Sequence, residues 1–134
     1  MQLPPAVIVH GLPHARAALA PGLAVTLLSA PGAACYAGVG WWRALVSQAA
    51  AGRAAPPDIL DCADAPGRAL EALRHGQRLL VLRGLPPAVF EDIAARAASM
   101  RAIVLPAAPE ALDLAARGAE RRLLDWLSGR AAKV

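Results

Sequence analysis

The sequence predicts one α/β domain, residues 1–134, built on a five-stranded parallel sheet with helices on both faces. Three observations carry this expectation. Apolar, β-rich runs recur at 6–10 (AVIVH), 24–29 (AVTLLS), 58–62 (DILDC), 79–83 (LLVLR) and 102–106 (AIVLP). Each run is continuously apolar rather than alternating, as a strand covered on both faces must be. The segments between them have the length of right-handed crossover connections, and strictly alternating βα units imply a parallel sheet. Five such units suit the order 2-1-3-4-5 of a flavodoxin-like three-layer sandwich. A half (β/α)-barrel is the alternative arrangement.

The helices carry signals of their own. Trp42, Leu45, Val46 and Ala49 repeat at i, i+3, i+4 and i+7, which gives one buried stripe. Asp64 ahead of Ala65-Pro66 reads as an N-cap, Leu70 and Leu73 face inward, and Gly76 sits at the position of a C-terminal cap. The segment PPAVFEDIAARAASM opens on prolines and presents Val89, Phe90, Ile93, Ala97 and Met100 to the core. A last helix is expected from about Glu110 to Leu127, with Leu112, Ala116, Ala119, Leu123 and Trp126 on one side. Gly118 weakens that helix by about 1 kcal/mol and divides it.

Composition narrows the function classes. The chain is 57% hydrophobic and 18% charged, an apolar balance that predicts a contact surface and hence a homodimer. Net charge is +4, from thirteen arginines and the single lysine Lys133. The arginines form no stripe, clustering only at Arg117, Arg121, Arg122 and Arg130, and there are five aromatics in all. That pattern argues against nucleic acid as a partner. The uncharged run from Ala17 to Trp42 is cut by Pro21-Gly22 and Pro31-Gly32 into pieces too short to span a bilayer, so no membrane segment is expected. Two cysteines, Cys35 and Cys62, make no disulfide framework, and with no signal-peptide pattern the expected location is cytoplasmic.

In open parallel sheets ligands bind beyond the C-terminal strand ends, where helix N-termini and loop amides converge. That edge collects His10, Ser29, Asp61, Cys62, Asp64 and Arg83, under a loop spanning 30–40. No P-loop follows Gly32, because its spacing to Gly38 is wrong and no Lys-Ser/Thr pair is present. Gly38-Val39-Gly40 opens a dinucleotide fingerprint that Arg43 interrupts at its sixth position. The expected ligand is therefore a small anion on the amides of Gly32, Gly38 and Gly40, reached by Arg43 or Arg83. The candidate catalytic residues are His10 as acid/base, Asp61 as its partner, and Cys35 as a thiol nucleophile if it meets His10. No cofactor and no metal site are expected: Gly11 and Pro13 keep His10 and His14 off one helix face. Schiff-base chemistry lacks a lysine other than Lys133, and no G-x-S-x-G elbow occurs.

The stretch PPDILDCADAPG, residues 56–67, resembles the third strand of response-regulator receiver domains. The resemblance implies a receiver-like fold, with Asp61 at the phosphoacceptor position. It covers a dozen residues, and the Asp-to-Pro spacing is one residue longer than the family's. His10-Gly11 stands where the family has its magnesium-holding acidic pair, and Leu105-Pro106 where it has a lysine. Acceptor chemistry and Mg²⁺ binding thus lack their other residues. The reading that remains is a non-enzymatic small-ligand-binding or protein-interaction domain. Its alternative is a small enzyme acting on an anionic molecule at the C-terminal edge of the sheet.

Overall fold

Every one of the five apolar runs is a strand in the computed structural model, which describes residues 2–129. Arg130 and Lys133 lie outside the described residues. The architecture is α/β with six parallel strands, one more than the five expected. The chain divides into two compact units. The first holds the residues up to Leu28, Ala44–Asp58 and those from Pro109 onward; the second holds Ser29–Arg43 and Ile59–Ala108.

In the first unit, β1 (Ala6–Val9) is flanked by β2 (Thr26–Ser29) on one side and β6 (Ala111–Asp113) on the other. β1 and β6 pair in register Ala6↔Ala111, Val7↔Leu112, Ile8↔Asp113. Helix α1 (Leu12–Leu19) starts at Gly11 with a proline in its first turn and buries Ala15 and Ala18. Helix α3 (Val39–Ala50) belongs to this unit from Ala44 onward and to the second unit before it; its stripe is buried as its periodicity requires, with Trp42, Leu45, Val46 and Ala49 all under one-tenth exposed. Helix α6 (Ala119–Leu127) buries Ala119, Leu123 and Leu127, and the Trp126 indole Nε1–H donates to the Ala6 carbonyl at 2.7 Å.

The second unit orders its strands β3-β4-β5: β3 (Asp58–Asp61), β4 (Leu79–Val81) and β5 (Ile103–Leu105). Leu60 pairs with Leu80, and Leu80 in turn with Val104. Helix α4 (Pro66–Arg74) follows β3 and α5 (Pro87–Ser99) follows β4. The 30–40 stretch is not an open loop: it folds into the four-residue helix α2 (Ala33–Tyr36) before α3 begins. All three residues of β4 and the last three of β3 are buried, so both faces of these strands are covered.

Four expectations need correction. The long last helix is instead a strand, a turn and a short helix. Leu112 and Leu114, two residues apart, are both buried, and the Leu114 N–H donates to the Ile8 carbonyl at 3.1 Å. The free edge of β1 thus overrides helical periodicity, because a paired ladder satisfies backbone groups that an edge leaves open. Gly118, at φ +77°, serves as the N-cap of α6. β6 also takes the place beside β1 that the order 2-1-3-4-5 assigns to β3. Asp64 is not the cap of α4: Ala65 holds that position, with no side-chain hydrogen bond. Helix α5 buries Ile93 and Ala97, while Val89 and Met100 are exposed and Phe90 is half-buried. Three residues of strand span about 10 Å and thirteen of helix about 20 Å, so the two ends of α5 overhang its strands.

Among the described residues no helix is long and apolar enough to cross a membrane. The indole bond of Trp126 makes a direct test of how α6 is held. Trp126→Phe keeps the ring and leaves the buried Ala6 carbonyl without this donor. Urea unfolding should show a loss of about 1–3 kcal/mol.

Candidate functional site

The centre of the candidate site, in the second unit, is a buried carboxylate. Asp61 closes β3 with its side chain only 3% exposed. Its Oδ1 accepts the Gly32 N–H at 3.0 Å, the Ala63 N–H at 2.8 Å and Arg83 Nη1 at 2.6 Å. Its Oδ2 accepts the same Arg83 nitrogen at 2.6 Å. The Asp61 N–H donates to Ser29 Oγ at 2.9 Å, and the Ser29 hydroxyl donates to the Ala30 carbonyl at 3.1 Å.

Local sequence explains the convergence. An aspartate side chain readily bonds the amide two residues on, and Ala63 sits at φ +53° to turn its N–H back toward the carboxylate. Gly32, at φ +72°, turns the chain after β2 without a Cβ penalty. Arg83 is held at its backbone as well, since its N–H donates to the Ala63 carbonyl at 2.9 Å.

Arg83 is 42% exposed and touches Asp61 through Nη1 alone. Its Nε and Nη2 edge meets no protein acceptor among the described residues. Arg83, Ala63, Asp64 and Gly84 line a depression of about 440 Å³.

Of the other predicted ligand-binding residues, Gly32, Gly38 and Arg43 have internal partners. The Gly32 amide is taken by Asp61. Gly38, at φ +97°, joins α2 to α3, and its N–H donates to the Ala33 carbonyl at 3.2 Å. Gly40 is the second residue of α3. Arg43 donates from Nη1 to Gln77 Oε1 at 2.7 Å, and the buried Gln77 amide donates onward to the Leu79 carbonyl at 2.8 Å.

The thiols are unequal. Cys35 is exposed on α2, with Sγ 3.7 Å from the Cys62 carbonyl. Cys62 is buried, and burial followed by the neighbouring Asp61 charge pushes its thiol up to about 12, so it stays protonated at neutral pH.

His10 lies in the first unit and Asp61 in the second. The carboxylate bonded to His10 is Asp113, with Oδ1 2.7 Å from Nε2. The same oxygen accepts the Ala115 N–H at 2.9 Å, and His14 Nδ1 accepts the His10 backbone N–H at 3.1 Å. Partial burial pushes the Asp113 carboxyl up, but the Ala115 and His10 bonds outweigh it and hold the group below 3.8. Asp113 therefore stabilises the fold above that value, and the contribution is lost as pH falls through its lowered folded value. Asp113 is 103 residues from His10, and no spacing signals the pair. Its one legible trace is the alternation of Leu112 and Leu114 around it. No group of three or more His, Cys, Asp or Glu placed to hold a metal ion occurs among the described residues.

No protein-family model matches the chain, and no curated protein is detectably similar to it in sequence. The geometry therefore stands alone, and Asp61 is its hub. Asp61→Ala leaves two amides and a guanidinium nitrogen without their acceptor. Equilibrium unfolding should show a loss of about 2–4 kcal/mol, well above an ordinary surface substitution.

Proposed function

We propose that the chain is a non-enzymatic small-ligand-binding domain that takes a small anion on Arg83 at the C-terminal edge of its strands. One observation carries the reading. Arg83 is anchored by the buried Asp61 through a single nitrogen, while its remaining donor edge opens on the depression beside Ala63, Asp64 and Gly84. A guanidinium fixed in this way loses little side-chain freedom on binding, and its fork suits planar oxyanions. The site lies just beyond β3 and β4, where parallel sheets accept ligands.

The alternative, an enzyme acting on a small anion, is favoured by the Asp113–His10 pair, since a carboxylate that orients an imidazole is an arrangement used for proton transfer. The binding reading is preferred because the depression's lining includes neither His10 nor Cys35. Of the loop glycines, Gly32 already spends its amide on an internal carboxylate, so Arg83 replaces the loop as the principal anion contact.

The free thiols support a reducing, cytoplasmic setting. Exposed Tyr36 and Trp41, close together in sequence, support the homodimer.

Calorimetric titration with acetate and inorganic phosphate tests the site. Arg83→Lys retains a cation for Asp61 but lacks the fork, so binding should fall about tenfold or more with little change in stability. Equal binding by the variant removes Arg83 from the site. Light scattering tests association: a 27.6 kDa species, twice the 13.8 kDa chain, is expected at micromolar concentration. Trp41→Glu should shift it toward the monomer.

A further inference from the structure

The depression at Arg83 is lined by two charged side chains of opposite sign, Arg83 and Asp64, and otherwise by Ala63 and Gly84. Arg83 uses Nη1 for Asp61, which leaves the Nε–H and Nη2–H edge, the pair of donors whose spacing matches the two oxygens of a carboxylate. Asp64 is exposed and is not the partner of Arg83, whose ion pair is with Asp61. A Cβ placed on Gly84 would lie 3.9 Å from the Asp64 Cβ, so the two charged side chains rise from adjoining backbone.

We infer that the ligand of this depression is a small amino acid, bound as the zwitterion with its carboxylate on Arg83 and its ammonium on Asp64. The inference rests on the anion-binding reading of Arg83 and narrows it. A simple anion approaching Arg83 meets the like charge of Asp64, and a phosphate dianion meets it twice over. A ligand that carries its own cation beside the carboxylate converts that repulsion into a second attraction, and this is how a site discriminates between otherwise similar anions. Ala63 and Gly84, the two remaining lining residues, carry at most a methyl group, so no large apolar side chain is there to pack against a ligand's. Glycine and alanine fit this chemistry better than leucine or phenylalanine.

Nuclear magnetic resonance titration of the full chain at pH 7 tests the inference with glycine, acetate and methylammonium as probes. Glycine should shift the amides of Asp64 and Gly84 and bind about tenfold tighter than acetate. Asp64→Asn, a change at an exposed side chain, should lower glycine affinity to that of acetate and leave acetate binding equal or improved. Acetate binding as well as glycine, or glycine affinity unchanged in Asp64→Asn, overturns the zwitterion inference while the anion reading stands. Binding of neither acetate nor glycine, or of methylammonium alone, overturns both.

Discussion

The carboxylate of Asp61 organises the C-terminal edge of the strands in the second unit. A carboxylate that is 3% exposed has given up its hydration, and other donors must replace the water. Here the donors come from three places in the sequence: the turn after β2 at Gly32, the turn after β3 at Ala63, and Arg83, two residues past the end of β4. Each segment is positioned by the requirement to satisfy one buried charge. The same requirement presents the outer edge of Arg83, since a guanidinium tethered at one nitrogen has few other orientations open to it.

The first unit repeats the device in a more solvated form. Asp113 closes β6 as Asp61 closes β3, and each accepts the amide two residues downstream, Ala115 at 2.9 Å and Ala63 at 2.8 Å. Each also holds a basic side chain near the end of another strand, His10 after β1 and Arg83 after β4. The difference is burial: the Asp113 side chain is 41% exposed, so water screens its pair with His10. The buried version is shielded from solvent, whereas the exposed one is open to water and salt. Two short strands are thereby fastened at their C-terminal ends by side chains as well as by ladder bonds, which matters when β6 is only three residues long.

A catalytic carboxylate needs spare acceptor capacity or an accessible proton, and Asp61 has little of either once four contacts are made. Cys62 is protonated and buried, and Gly32 has spent its amide. What the edge leaves open is the solvent side of Arg83 with Asp64 beside it, the pair on which the proposed binding rests.

The strands, their parallel sense and the α3 core stripe were legible from the amino-acid sequence, because continuous apolar runs and a period of 3.6 are local consequences of burial. The C-terminal cap position at Gly76 was legible for a similar reason: its φ of +87° suits a residue without a Cβ. Residues 110–127 were not, since alanine and leucine there satisfy a helical repeat, and only the open edge of β1 decides that 111–113 pair as a strand. The pairing of His10 with Asp113 rather than Asp61 was closed to sequence reading for the same reason. Asp61, Arg83 and Asp64 were visible as residues of one strand edge. That the first is buried and bonded to the second, leaving the third to share the opening, depends on which backbone amides the folded chain brings around a single carboxylate, and only the tertiary structure decides that.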